Sequence, residues 1–154
     1  MNSIIAIASV AITAALLFYS LGVFGERGRG RLQRRHVILF WIGLSCDTTG
    51  TLLMSAFARA SGTGTLGLHA ITGAFAIVLM IVHALWATLV FIRGGEQARA
   101  TFSRFSIVVW LIWLVPYVCG MLIGTPLTHM DGVLAGVIAI AVALGTAIVI
   151  WFYD

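Results

Sequence analysis

Two histidines, His69 and His83, lie fourteen residues apart inside one uncharged, apolar run of the sequence. At about 100° and 1.5 Å per residue, this spacing returns the second ring to within about 40° of the first, roughly 21 Å further along a helix axis. Gly73, Ala76 and Met80 lie between them on the same face. Small residues leave space beside the imidazoles, and a histidine in lipid is costly and usually functional. We therefore expect both histidines to bind metalloporphyrins.

The composition predicts a helical membrane protein. The chain has 154 residues, of which 61% are hydrophobic and 9% are charged, and its mean hydropathy is +1.10. A soluble domain of this size could not bury so much apolar surface. Five apolar runs are each long enough to cross a hydrocarbon core about 30 Å thick; they are 3–24, 37–58, 66–92, 105–124 and 132–153. We expect an all-α fold with five transmembrane helices, forming a single domain over residues 1–154 with the lipid bilayer as its partner.

The arginines predict how the helices are oriented in the membrane. All nine basic residues are arginines; five lie in the first loop and three in or beside the third, against one in the second and none in the fourth. Under the positive-inside rule, the first and third loops and the C-terminus are cytoplasmic, and the N-terminus is outside. The cluster is expected to contact lipid headgroups. No nucleic-acid partner is expected, because no basic domain accompanies the cluster.

The four histidines are the candidate metal ligands: His36, His69, His83 and His129. His69 and His129 are both predicted near the outer surface, where they could face each other across one ring. The candidate partner of His83 is His36, at the cytoplasmic mouth of the second span and about 10 Å nearer the cytoplasm. Because the sequence has no C-x-x-C-H motif, the expected cofactor is non-covalent haem b, in one or two copies.

Other residues are expected to surround the porphyrin rings. They are glycines that leave a flat slot, tryptophans that form walls and arginines that hold propionates: Gly43, Gly73, Trp110, Trp113, Arg34 and Arg35. If His36 does not reach the iron, it would join the arginines as a contact to a propionate or to a quinone, the further candidate cofactor. The other interpretation of the two tryptophans is that they belong to the bundle core.

Asp47 is the only carboxylate deep within a span. Three roles are open for it. It could accept the imidazole N–H of His83 and so strengthen the bond to iron, hold a proton beside a quinone, or link helices through hydrogen bonds. Counting residues from the helix ends predicts that Asp47 lies within about 5 Å of His83 in depth, on a neighbouring helix.

The fifth span differs from the others because it carries no ionisable group inside the membrane. Small residues recur along one face of it: Gly132, Gly136, Ala139, Ala143 and Ala147. Such a face favours close helix packing. We therefore expect this span to be structural or to form a homo-oligomer contact.

Five segments resemble the HsmA family, small bacterial membrane proteins associated with haem binding and haem-linked oxidative-stress defence. They are FYSLGVFGE (18–26), RRHVILFWIGLSCDTTGT (34–51), LHAITG (68–73), HALWAT (83–88) and RFSIVVWLIWLVPY (104–117). The resemblance implies a four-helix haem-binding core and a location in the bacterial inner membrane. It places four residues at motif positions: His36, Asp47, His69 and His83.

Two features depart from the pattern of that family. Ser103 stands where many members have a histidine, and residues 125–154 add a fifth helix and His129. A ligand set built on the missing histidine is therefore not open to this chain. His129 would replace it only if the outer site differs.

The favoured hypothesis is a membrane cytochrome with a four-helix haem core and one extra helix. It would pass electrons between quinol and haem, as a quinol-linked oxidoreductase, or scavenge oxidants. Two alternatives stay open. One is a haem-binding or sequestration protein without turnover. The other is a haem-free permease for protons or a small solute that uses Asp47 and His83 as a relay.

Overall fold

The computed structural model describes residues 3–62, 68–124 and 130–152, with the backbone alone for 68–70. The fold is 91% helical and has no strand in the part of the chain that is described. Its helices are α1 (Ser3–Arg27), α2 (Arg34–Ala60), α3 (Leu68–Arg93), α4 (Glu96–Gly124) and α5 (Gly132–Phe152). All five are long and apolar enough to cross a membrane, which confirms the predicted fold class.

Helices α1 to α4 form an antiparallel bundle. Each helix packs against the next in sequence, and α4 also contacts α1, so that the four helices enclose one core. Helix α5 lies outside this bundle and packs on α4. Ala135, Ala139 and Ala143 are its buried residues, and their small side chains let the two helices approach closely. Part of the predicted small-residue face is therefore used within one chain.

The α1–α2 and α3–α4 turns lie together at one end of the bundle, here called the arginine end. The backbone N–H of Leu32 donates to the carbonyl oxygen of Arg99 over 3.0 Å, and an ion pair of 3.4 Å joins Arg31 to Glu96. The Leu32 side chain is only 2% exposed and packs into the core of the bundle. The α1–α2 turn therefore closes this end with an apolar side chain.

The opposite end of the bundle, the far end, is packed differently. No described residue is buried on α2 after Gly50, on α3 before Ala76 or on α4 after Leu114. These stretches of α2 and α4 are each about 15 Å long. A Cβ atom added to Gly73, on the same face of α3 as Ala76, would meet no described atom within 4 Å.

Helix α1 is the exception at the far end. Ala8 is completely buried, and its carbonyl oxygen would lie 2.9 Å from a Cβ atom on Gly50. Glycine at this position lets the two backbones approach closely. The pair α1–α2 therefore stays tightly packed along most of its length.

Candidate functional site

Four polar side chains lie inside the arginine half of the bundle, one from each of its four helices. They are Glu26, His36, His83 and Ser106, and none is more than 1% exposed. We call them the polar cluster. Buried polar groups in a membrane core are costly, and they usually mark a route for protons or a binding site.

His83 is held by a hydrogen bond and by three aromatic rings. Its Nε2 atom lies 3.0 Å from the Ser106 hydroxyl. The Phe102 ring is stacked parallel to the imidazole with its centroid 5.6 Å away, and the centroids of Phe40 and Phe105 lie at 4.5 and 5.9 Å. The Nδ1 atom is buried and has no hydrogen-bond partner among the described residues.

Glu26 and His36 contribute further polar atoms that lack partners. Both carboxyl oxygens of Glu26 are buried and form no hydrogen bond within the described ranges, although the carboxyl group faces the Ser106 hydroxyl. Nδ1 of His36 accepts the backbone N–H of Gln33 over 3.2 Å. Its Nε2 atom is buried without a partner in the same part of the chain. Such atoms are rare in folded proteins and call for a functional explanation.

A second polar group lies closer to the middle of the bundle, and we call it the carboxylate–aromatic site. The Trp113 indole N–H donates to Oδ2 of Asp47 over 2.8 Å. Tyr19 packs edge-on against the Trp113 ring at 5.0 Å, and Tyr117 stacks on its other side at 5.4 Å. The buried hydroxyl of Tyr19 faces Asp47 and forms no hydrogen bond with the residues that are described.

The polar cluster and the carboxylate–aromatic site are separated along the bundle axis. Seven residues, or about 10 Å, separate Tyr19 from Glu26 on α1 and Ser106 from Trp113 on α4. The ring of Phe40 fills the space between them, in contact with Gly22 of α1 and with His83 of α3. In this conformation no hydrogen bond between described side chains joins the two groups.

This separation corrects the prediction that Asp47 supports His83. The hydrogen-bond partner of Asp47 is Trp113, and that of His83 is Ser106. Of the three roles considered for Asp47, acceptance of the His83 imidazole N–H is therefore absent from this structure. The linking role is present, because the hydrogen bond joins α2 to α4.

The flat slot predicted at Gly43 is also corrected. A Cβ atom there would lie 2.6 Å from the ring of Tyr19, so the aromatic side chain already fills the slot. At Gly73 an added Cβ atom would meet no described atom within 4 Å. Trp110 and Trp113 are buried in the bundle core, which agrees with the interpretation that they are packing residues of the core.

Haem does not fit between His36 and His83 in this structure. Phe40 lies one helical turn from His36, is completely buried and contacts His83, so a porphyrin between the two histidines would need the volume that its ring fills. Arg34 and Arg35 are exposed at the start of α2. No described group of three or more histidine, cysteine or acidic side chains is arranged to hold a metal ion. The side chain of His69 and all of His129 lie outside the described part of the chain.

Sequence reasoning missed Glu26, although a signal was present. The residue stands beside Arg27 in an apparently solvated loop, yet it continues the spacing of four and three residues from Tyr19 and Val23, both of which are completely buried. That spacing places all three on the inner face of α1. Leu32 gave no comparable signal, because a single leucine among arginines and glycines has no periodicity.

Similarity to known proteins assigns no function to the polar cluster or to the carboxylate–aromatic site. Comparison with known protein families, with curated proteins and with solved structures gives no match.

Proposed function

We propose that the protein is a permease that moves protons through the bundle, with Glu26, Ser106 and His83 as its proton-carrying groups. The observation that supports it most is the Glu26 carboxyl group, which is completely buried and faces the Ser106 hydroxyl. Ser106 in turn is hydrogen-bonded to His83. Three side chains from three helices thus form a short chain of donors and acceptors.

Simple electrostatics explain how these groups would handle a proton. An unpaired carboxylate in a low-dielectric interior costs several kcal/mol, so the neutral acid is the form expected at Glu26. The acid O–H can donate to the Ser106 oxygen while the serine O–H donates to Nε2 of His83. A proton shifted along this chain leaves Glu26 as a carboxylate and His83 as an imidazolium. The imidazolium would then release its Nδ1 proton to water that enters once the Phe40 ring has moved aside.

The packing of the two ends suggests the conformational step. With the arginine end in the cytoplasm, as the distribution of arginines predicts, Leu32 closes the cytoplasmic side, and the far end, where no described residue of α2 is buried after Gly50, faces outward. Phe40 separates the polar cluster from the carboxylate–aromatic site. Transport would therefore require this ring and the α1–α2 turn to move, which favours a carrier over an open channel.

Proton flux in liposomes tests the proposal. Purified protein is reconstituted with a pH-sensitive dye inside, and a potassium gradient with valinomycin drives protons inward. Glu26→Gln should reduce the flux at least about tenfold, because it removes the only acid in the relay. The matched control is Glu96→Gln, which changes an exposed surface ion pair and should leave the flux unchanged.

Two results would overturn the proposal. One is a wild-type flux no higher than that of liposomes without protein. The other is a Glu26→Gln variant that elutes as a single species and conducts protons like the wild type. Ser106→Ala provides a second variant, and we expect it to slow the flux as well because it interrupts the same chain of hydrogen bonds.

A second candidate function is haem binding at the far end, and it is supported by Gly73, where an added Cβ atom would meet no described atom within 4 Å. This glycine lies one turn from His69 on the face predicted to carry it. His69 and His129 would hold the iron, and the haem would supply electron transfer or oxidant scavenging. The pyridine haemochrome spectrum of protein expressed with added haem tests this candidate. Haem that is retained by the wild type and lost in His69→Ala would support it, and colourless protein would exclude it.

A further inference from the structure

We propose that the protein holds an anionic phospholipid in a groove on its outer surface, between α4 and α5. The groove has a volume of about 210 Å³ and lies along the middle of both helices. Its lining is entirely apolar and includes Leu111, Val115, Ile140, Leu144 and Ala147. The inference goes beyond the proton relay, because none of these residues belongs to the polar cluster.

Small residues on α5 create the groove. Ala143 is buried and Ala147 is half-buried, whereas Leu144 beside them is 60% exposed. Alanine side chains next to a large exposed one leave a depression that the packed helices do not fill. A second depression, of about 270 Å³, reaches Trp151 near the end of α5. Because both are lined by Leu144 and Ala147, they form one groove along the helix.

The groove runs from the middle of the bundle to the arginine end. Eleven residues, or about 16 Å, separate Ile140 from Trp151 on α5. The same number separates Val115 from Arg104 on α4, which runs in the opposite direction. This length is close to one leaflet of a hydrocarbon core about 30 Å thick. An acyl chain that extends from the membrane surface to the bilayer centre would therefore fit along the groove.

Arg104 supplies a positive charge at the outer end of the groove. It lies on the same face of α4 as Leu111 and Val115, because steps of seven and eleven residues both return to within about 20° of one line. Helical side chains lean towards the N-terminus of their helix, which for α4 is at the arginine end. The guanidinium group should therefore extend towards the membrane surface, beyond the apolar part of the groove.

Arg104 and Trp151 lie at the same level along the bundle. Leu111 of α4 and Leu144 of α5 both line the groove. Seven residues, or about 10 Å, nearer the arginine end lie Arg104 on α4 and Trp151 on α5. The Trp151 side chain is 81% exposed, and exposed tryptophans concentrate at the interface between membrane and water. The charged end of the groove is thus at the depth of lipid headgroups.

The charge at this end favours an anionic headgroup. Arg104 is exposed, and no described side chain forms an ion pair with it. Among the described residues at this end the acidic side chains are Glu26, which is buried, and Glu96, which pairs with Arg31 and Arg99. A guanidinium group binds a phosphate through charge-assisted hydrogen bonds. A zwitterionic lipid gains less, because its headgroup also carries a positive charge.

Native mass spectrometry of the purified full-length chain tests the inference. Protein in detergent is mixed with equal amounts of phosphatidylglycerol and phosphatidylcholine that carry the same acyl chains. Phosphatidylglycerol should stay bound in preference to phosphatidylcholine, with a single lipid on each chain. Inorganic phosphate should not displace it, because burial of the acyl chain in the groove contributes to binding.

Two pairs of variants separate this site from general adsorption of lipid. Arg104→Gln should lower the preference for phosphatidylglycerol about fivefold, the effect expected of one arginine near a membrane surface. Its control is Arg34→Gln, which removes an exposed arginine at the same end of the bundle and should leave the preference unchanged. Ala147→Phe should fill the groove and reduce the retention of both lipids. Its control is Ala141→Phe, at an exposed position of α5 outside the groove, which should retain lipid like the wild type.

Three results would overturn the proposal. The first is a wild-type protein that retains no lipid, or that retains both lipids equally. The second is an Arg104→Gln variant that keeps the full preference for phosphatidylglycerol. The third is a lipid-free dimer that Ala147→Phe dissociates, which would show that a second copy of the chain covers the groove. If Ala147→Phe does not fold, the comparison of Arg104→Gln with Arg34→Gln decides the matter. Proton flux through Glu26 is tested separately and stands or falls on its own result.

Discussion

The indole N–H of Trp113 reaches across the bundle from α4 to Oδ2 of Asp47 on α2, over 2.8 Å. The two helices are not sequence neighbours, and the hydrogen bond joins residues 66 positions apart. The long indole side chain thus satisfies a carboxyl group in the middle of an apolar core, while its ring packs between Tyr19 and Tyr117. This contact links α2 to α4 within the bundle core.

Replacing Trp113 should therefore destabilise the bundle. Trp113→Phe leaves the buried Asp47 without its donor, which costs about 1–3 kcal/mol of unfolding free energy in addition to any cavity. Thermal unfolding in detergent, followed by circular dichroism, should show a clearly lower Tm. Trp86→Phe is the control, because that side chain is 51% exposed on the surface of α3. An equal loss of Tm in both variants would contradict the assignment.

Gly43 and Gly73 are both predicted to leave a flat slot for a porphyrin ring. Substitution by alanine should nevertheless have opposite effects on stability at the two positions. Gly43→Ala places a methyl group against the buried ring of Tyr19, and such overpacking costs about 1–3 kcal/mol. Gly73→Ala meets no described atom within 4 Å and gains up to about 1 kcal/mol of helix propensity. Thermal unfolding of the two variants checks this. A stable Gly43→Ala protein would show that the Tyr19 ring does not occupy the position described.

Glu26 should be important for function but not for stability. Methionine has a similar volume and no polar atoms, so Glu26→Met is expected to leave the Tm unchanged or raised, since apolar replacement of buried ionisable groups is often neutral or stabilising. Glu26→Ala instead leaves a cavity and should lower the Tm. A marked loss of stability in the methionine variant would show that the carboxyl group has a structural partner.

Leu32 should control access at the arginine end. Leu32→Ala removes a buried side chain and is expected to cost about 2 kcal/mol or more. Backbone amides at the start of α2 should then exchange with deuterium faster, as measured by mass spectrometry. Ile92→Ala changes a side chain that is 67% exposed and should have no such effect. Unchanged exchange in Leu32→Ala would rule out its role as a closure.

The helices could be predicted from the sequence because their signal is local. Apolar runs of sufficient length identified all five spans, although helices α1, α2 and α4 extend beyond them. Helix α4, for example, begins at Glu96 rather than at residue 105. The polar turn before the span continues the helix, and hydropathy marks only the part that crosses the lipid. The close packing of α5 through Ala139 and Ala143 could likewise be expected from its small residues, but not that α4 would be the partner.

The candidate site was harder to predict because it depends on how neighbouring helices align. Counting residues from the helix ends placed Asp47 near the depth of His83, whereas His83 lies at the level of Phe40, seven residues and about 10 Å away. Gly43 and Gly73 carry the same sequence signal, yet a tyrosine from another helix fills the space at only one of them. Neither the vertical alignment of helices nor the side chain opposite a glycine is a local property of the chain.

The side chain of Arg27 donates a hydrogen bond to the carbonyl oxygen of Ile150 over 3.1 Å. Helix α5 has no basic residue in its own last turn, so α1 provides the positive charge that the negative end of the α5 dipole favours. The outermost helix is thereby anchored electrostatically at one end, by a guanidinium next to Glu26 in the chain. A rearrangement of the α1–α2 turn would therefore displace one end of α5. Because α5 lies at the edge of the bundle, the displacement would change the surface that lipids or a neighbouring molecule contact.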